Sequence, residues 1–185
     1  MRRFITSVFL KDRVGILRDI TQAVFLLEGN IGSIRQNVVE GFFTLAFRSE
    51  HPDKVHEADL RTKIGAALGP LAVVTVVDCP EVSEPVVASG SRFVVTTRGE
   101  DKPGTIFAIT SFLVEHGINI EHWLVEEDAG QTVYIAQVII PDTVDFPKLQ
   151  SAFREAMSQR GLSALLCHEN IFRATNEIGP IKALI

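Results

Sequence analysis

Cysteine is scarce: Cys79 and Cys167 are the only two in 185 residues, and no Cys-x-x-Cys pair occurs. That excludes a disulfide framework and a cysteine-based zinc module, and it suits a reducing cytoplasm. Positive charge is in deficit, with 18 Lys and Arg against 23 Asp and Glu, for a net charge of −5. Direct binding to nucleic acid ordinarily needs a basic surface, so it is not expected here. Long apolar runs are missing as well. Val133–Ile140 is interrupted by Gln137 and falls well short of the ~20 residues of a membrane span. The basic start Met1-Arg2-Arg3 is not followed by an apolar region with a small-residue cleavage site. Neither a leader nor a membrane anchor is expected, and the expected location is cytoplasmic.

Catalytic signatures are wanting too. There is no GxSxG, HExxH, Walker lysine loop or GxGxxG. The histidines His51, His56, His116, His122 and His168 share no motif with a carboxylate or cysteine at metal-ligand spacing. No nucleophile stands at a recognisable distance from a base. The expectation is a protein that is not an enzyme and carries no cofactor and no metal.

What the chain does have is a repeat. At an offset of 89, Asp12 matches Asp101, Gly15 matches Gly104, Asn30-Ile31 matches Asn119-Ile120, Gly41 matches Gly130, and Pro52-Asp53 matches Pro141-Asp142. These residues punctuate turns, where backbone geometry restricts residue choice most. One constant offset through five such marks implies two copies of one domain. The expected division is domain 1 over 1–79, a Pro-, Ser- and Glu-containing linker over 80–91, domain 2 over 92–169, and a tail over 170–185. The tail retains Ile171, Phe172, Ile178, Ile181 and Leu184, too apolar for a solvated end, so it is expected to pack on the domains or on a partner chain.

Each copy reads alike. Phe4–Leu10 is β-branched and apolar and suits a strand. Val14, Leu17, Ile20, Val24 and Leu27 then recur at helical spacing. Strands are expected at 31–39 and 42–48, turning at Glu40-Gly41. A helix opened by Pro52-Asp53 carries Leu60, Ile64 and Leu68, and a strand follows at 71–77. The second copy gives a strand at 93–97 and a helix through Ile106, Ile109, Leu113 and His116. Strands at 118–126 and 132–139, a helix through Leu149, Phe153 and Met157, and a strand at 162–167 complete it. The order βαββαβ, twice, predicts an α+β protein of two tandem ferredoxin-like domains, each an antiparallel sheet with both helices on one face. The other face needs a cover, from the second domain or a second chain, so the domains are expected to pack together and the chain to form a homodimer.

The chemistry-bearing spot is the first strand-to-helix turn. It reads Asp12-Arg13-Val14-Gly15-Ile16 in one copy and Asp101-Lys102-Pro103-Gly104-Thr105 in the other. Glycine lets the chain turn tightly and lets a ligand approach the backbone. Free N–H groups at a helix start favour an anion such as a carboxylate. The plainer reading makes Asp12 and Asp101 helix N-caps, with Pro103 in the first helical turn; capping and ligand binding are compatible. Past the helix, Asn30-Ile31 and Asn119-Ile120 offer an amide donor and acceptor for an amino acid's zwitterionic head, although a turn role alone would account for asparagine.

These two motifs, Asp-x-x-Gly before the helix and Gly-Asn-Ile or Gly-x-Asn-Ile after it, resemble the signature of ACT domains over residues 1–169. The pairing and the closing stretch Cys167-His168-Glu169-Asn170-Ile171-Phe172 resemble bacterial tandem-ACT proteins of the glycine cleavage system transcriptional repressor family. The resemblance implies binding of an amino acid or similar effector at an interface between paired domains, where the turn and the asparagine meet. Carried over, it implicates Asp12, Arg13, Val14, Gly15, Ile16, Asn30 and Ile31, and Asp101, Lys102, Pro103, Gly104, Thr105, Asn119 and Ile120. Val14 departs from the usual proline, which Pro103 keeps. The resemblance further implies a protein partner such as a transcriptional regulator. A ligand-free interaction module and an enzyme on the same scaffold are the competing readings.

Overall fold

The computed structural model describes residues 1–79 and 90–176, with side chains in the second stretch through Phe172. Strand β1 (Arg2–Lys11) alternates strictly: Phe4, Thr6, Val8 and Leu10 are buried while Ile5, Ser7, Phe9 and Lys11 are exposed. That two-residue period turns one face of the strand to a core. Helix α1 (Ile16–Leu26), strands β2 (Asn30–Val39) and β3 (Phe42–His51), helix α2 (Glu57–Leu68) and strand β4 (Val73–Asp78) complete the first unit. The order across its sheet is β2-β3-β1-β4, all antiparallel. The second unit repeats it: β5 (Gly90–Gly99), α3 (Thr105–Glu115), β6 (Asn119–Asp128), β7 (Gln131–Pro141), α4 (Phe146–Ser158) and β8 (Ser163–His168), in sheet order β6-β7-β5-β8. The fold is therefore the expected α+β pair of βαββαβ repeats. Both hairpins turn through two positive-φ residues, Glu40-Gly41 and Ala129-Gly130, the backbone twist that suits a two-residue hairpin loop.

Two helical faces differ from the periodic reading. In α1 the buried residues are Ile16, Ile20, Ala23 and Val24, whereas Val14 is 99% exposed and Leu17 faces outward. In α3 they are Thr105, Ala108, Ile109, Phe112 and Leu113, and Ile106 is outside. The cause is where each helix starts. It begins directly after the glycine, so the residue next to that glycine points into the core and sets the phase. Helix α2 also begins later than Pro52-Asp53. The Val55 N–H bonds to the Pro52 carbonyl in a separate turn, and a capping box between His56 and Asp59 then opens the helix at Glu57.

The inner face of each sheet packs on its own two helices. Phe4, Val8, Phe47, Ile20, Leu60 and Ile64 centre the first core; Val95, Tyr134, Val138, Ile109, Phe153 and Met157 centre the second. The outer faces part company. In the second unit, helix α5 (Glu169–Asn176) leaves β8 and places Phe172 on Val94 and Ile135, beside Leu124, Val133 and Cys167. Gln137 donates to the Glu169 carboxylate at 2.8 Å and ties the start of that helix to the sheet. Residues 177–185, the rest of the expected tail, and 80–89 of the expected linker lie outside the described residues; Gly90 and Ser91, assigned to the linker from sequence, already belong to β5. Among the described residues, no helix is long and apolar enough to cross a membrane.

Truncating Phe172 to Ala should destabilise the second unit by about 1–3 kcal/mol, below the roughly 3–5 kcal/mol of a fully enclosed aromatic because the side chain sits at a sheet surface. Phe172→Leu should recover part of that loss. Guanidinium denaturation followed by intrinsic fluorescence of Trp123, in the same unit, measures both.

Candidate functional site

Each unit turns from its first strand into its first helix through a left-handed glycine: Gly15 at φ 93°, ψ −3° and Gly104 at φ 89°, ψ 0°. In the second unit the Thr105 N–H bonds to the Lys102 carbonyl at 3.0 Å. With Pro103 and Gly104 as the central residues this is a type II turn, which needs proline's fixed φ first and a positive φ second. Pro103 thus precedes the helix and does not occupy its first turn. Neither aspartate caps a helix; the glycines hold the cap positions and have no side chain to cap with. In α3 the Thr105 N–H is spent on the Lys102 carbonyl, while the first-turn N–H groups that follow it have no capping side chain and keep their donors for another partner. A Cβ on Gly104 would meet nothing within 4 Å, so the requirement for glycine there is conformational.

The two turns carry different side-chain chemistry. In the first, Arg13 bends back over the helix start, paired to Asp19 at 2.9 Å and donating to the Val14 carbonyl at 3.2 Å. In the second, Lys102 pairs with Glu100 at 3.1 Å, and the buried Tyr134 donates its hydroxyl to Asp101 at 2.5 Å. Burial, reinforced by that bond to a carboxylate, pushes the Tyr134 phenol above its ordinary range. Tyr134 was not legible as a site residue. In sequence it is one member of an apolar strand, and only the register, which sets it opposite Thr97, carries its hydroxyl under the turn. Thr105 is buried and its hydroxyl donates to the Lys102 carbonyl. Ile16 lies in the first core and Ile31 packs against it; Ile120 does the same in the second.

Asn30 and Asn119 are exposed at the first residue of β2 and β6. The register sets Asn30 opposite Glu50, itself opposite Arg3, while Lys11 at the other end of β1 leads into the turn. The nine-residue span from Arg3 to Asp12 is ~30 Å of strand. Within one unit, turn and asparagine therefore stand at opposite ends of the sheet. The same holds for Asn119, opposite Ile139 and thence Arg92, relative to Asp101. Beside Asn119, Glu121 interrupts the β6 register and its carboxyl is held below the usual carboxylate range by a hydrogen bond and charge from Arg92, 2.8 Å away. Trp123, next along β6, packs against the second core.

The helix-to-strand corner ahead of each asparagine has a shared hydrogen-bond pattern. Glu28 and Gly29 bond back to the Phe25 and Val24 carbonyls; Gly117 and Ile118 bond back to those of Val114 and Leu113. This is the Schellman closure, whose left-handed position falls on Glu28 (φ 55°) in one unit and Gly117 (φ 66°) in the other. Gly29 therefore answers to Ile118, one place past Gly117, and it is glycine for space. A Cβ there would fall 2.2 Å from the His51 ring. His51 is fully buried, its Nε2 3.0 Å from the Ser49 hydroxyl and its Nδ1 3.3 Å from the Leu27 carbonyl. Burial lowers its pKa below the ordinary histidine value, and the bond to Leu27 offsets part of that. Among the described residues no group of three His, Cys, Asp or Glu is placed to hold a metal ion.

A family profile described as ACT domain matches residues 93–156. A UPF0237 protein from Methanopyrus kandleri is 34% identical over 95 residues, covering 48% of this chain and 99% of its own length. A second, from Methanocaldococcus jannaschii, is 30% identical over the same length. Among solved structures, an unknown protein from Galdieria sulphuraria superposes with a TM-score of 0.74 at 22% identity, over 90% of this chain and 98% of its own. A protein described as a glycine cleavage system transcriptional repressor superposes with a TM-score of 0.63 at 17% identity, over 89% of this chain and 95% of its own. Both likenesses run through both βαββαβ units and concern the fold.

Two outcomes follow from the site geometry. Tyr134→Phe should cost about 1 kcal/mol, since its partner Asp101 reaches solvent and can rehydrate; thermal denaturation reads it. At the corner, His51 favours its neutral form when folded. Its contribution is present above the unfolded value near 6.5 and is lost as pH falls through the lower folded value. The wild type should therefore lose stability below pH ~6.5, and His51→Ile, the pairing's counterpart residue at position 140, should flatten that limb of the stability profile. Gly29→Ala should destabilise by about 1–3 kcal/mol through overpacking on the ring.

Proposed function

The chain belongs to the ACT-domain family, and we propose that it is a non-enzymatic regulator that binds an amino acid at its strand-to-helix turns and transmits the binding to a protein partner. The observation that carries this reading is the pair of left-handed glycine turns, each opening a helix whose first N–H groups have no capping side chain. Such groups suit a carboxylate, and the exposed Asn30 and Asn119 supply the polar groups that suit an ammonium-bearing head.

The separation of turn and asparagine within a unit bears on assembly. A ligand that touches both needs them from different units, a requirement that a second copy of the chain can meet, and the reading expects the working form to be a homodimer. Effector and assembly are then linked: the ligand shifts the dimer only as far as it binds one state better than the other. The net charge of −5 favours action through a protein, such as a transcriptional regulator, over direct contact with DNA. Control of glycine or other amino-acid metabolism in the cytoplasm is the setting that the motif resemblance supports.

Titration calorimetry of the twenty amino acids against the whole chain tests the reading. One of them should bind saturably. Gly104→Val should abolish or strongly weaken that binding, because a β-branched residue at φ 89° distorts the turn. Asn119→Ala should weaken it by about 1–3 kcal/mol, with circular dichroism confirming that both variants fold. Light scattering should give twice the 20.4 kDa chain mass. Equal affinity in all three proteins places the ligand elsewhere, and a monomer defeats the dimeric site.

A further inference from the structure

The outer faces of the two sheets occupy equivalent registers but hold different chemistry. At the centre of the second, Leu124, Val133 and Ile135 are apolar and are joined by Phe172 of the chain's own helix α5. The residues 89 positions earlier are Arg35, Thr44 and Ala46. Arg35 stands directly opposite Ala46 across β2 and β3, and Asn37 opposite Thr44. Ala46 in place of isoleucine leaves a hollow of about 260 Å³, lined by Arg35, Asn37, Thr44, Ala46 and, from β1, Ser7.

The polar groups in that hollow are mostly donors. Arg35 has no hydrogen-bond or ion-pair partner among the described residues. The Asn37 oxygen accepts from the Val38 N–H at 2.8 Å, which leaves its amide hydrogens to donate. Thr44 spends its hydroxyl hydrogen on the Asn37 carbonyl at 3.2 Å. One same-face step along β3 from Ala46 lies Arg48, whose guanidinium rests over Gly32 where the β2 register is broken. Its Nε is buried with no hydrogen-bond partner in the protein, a donor that water or a bound anion can satisfy. The carboxylate on this face, Glu50, is bonded to Arg3. The open guanidinium of Arg35, that of Arg48 one step along the same face, the Asn37 amide and the Ser7 hydroxyl, with no free carboxylate among the described residues of this face, fit the planar oxygens of an anion.

We infer that the outer face of the first sheet carries a binding site for a small oxyanion, a carboxylate or phosphate group, held by Arg35 over Ala46. It is separate from the glycine turns: Arg35 and Ala46 are mid-strand residues, while the turn lies beyond the end of β1. Helix α5 covers the equivalent ground in the second unit, so among the described residues the first unit alone keeps the site.

The test is an NMR titration of the isotopically labelled whole chain with inorganic phosphate and, separately, with succinate. One probe should saturate, with shifts centred on the amides of 35–37 and 44–46, and which one does so separates a phosphate from a carboxylate ligand. Arg35→Gln should weaken that probe about tenfold or more. Ala46→Ile, which installs the residue found at the equivalent position of the second sheet, should abolish it. Arg18→Gln, an exposed cation on α1, should change nothing. No saturation by either probe below about 10 mM, wild-type affinity in both Arg35→Gln and Ala46→Ile, or shifts gathered on 12–16 would overturn the assignment. An amino acid bound at the turns would shift that last set, so the two sites succeed or fail independently.

Discussion

A four-stranded antiparallel sheet that keeps both helices on one side buries that side and leaves the other to be dealt with. The alternation along β1 and β7 sends one set of side chains to the helices, and the complementary set must find solvent, a cover or a ligand. In the second unit the cover is local: the chain leaves β8, turns into α5 and lays Phe172 on the sheet. In the first unit Ile5, Phe9, Phe42, Val73 and Val77 keep a third or more of their surface exposed on the outer side, with Phe9 and Phe42 stacked at 5.2 Å, and the strands beside them turn polar. Duplication supplied two identical problems, and side-chain substitution at matched registers produced two solutions.

The βαββαβ order was legible because its marks are residues that backbone geometry cannot easily replace. Gly15 and Gly104, the Glu40-Gly41 and Ala129-Gly130 hairpins, and the constant offset between copies all report local angles, and local angles are written in local sequence. Helix phase was less legible. Val14 and Leu17 match a three-to-four spacing as well as Ile16 and Ala23 do, and periodicity alone cannot say which stripe faces inward. Only the position of the left-handed glycine, which makes the next residue the first inward one, resolves that. Strand ends ran longer than hydrophobicity suggests, as at Ser49 and His51, because buried polar residues can extend a strand when they hydrogen-bond each other.

The candidate site was legible in part for the same reason. The glycine turn is a local feature and stands where sequence places it. The relation between that turn and Asn30 or Asn119 is not local; it depends on which end of the sheet each strand begins, and topology sets them about a strand's length apart. Tyr134 is the sharper case. Its phenol reaches Asp101 only because β7 pairs with β5 in a particular register, and a strand reading of Val133–Ile140 treats it as one more core residue. The first unit has Leu45 at that position, so its turn is supported by Arg13 and Asp19 instead.

The corner before each asparagine shows how a repeat can mislead when read residue by residue. Gly29 and Gly117 look like one conserved glycine, yet they occupy successive positions of the same Schellman closure. Gly117 takes the left-handed angle that Glu28 takes at some steric cost. Gly29 sits where the second unit has Ile118, and its missing side chain is replaced in space by the imidazole of His51, whose own counterpart is Ile140. The volume is conserved while its source changes, from two aliphatic side chains to one ring and an absence. That exchange brings a titratable group and the Ser49 hydroxyl into an otherwise apolar corner against Gly29, the residue before Asn30. A buried imidazole bonded to a backbone carbonyl and a hydroxyl holds the corner through directional contacts where an isoleucine pair holds it through shape alone. The asparagine end of the first unit is therefore fixed by polar geometry and the second by packing, so the two copies of one fold differ in what would be needed to move them.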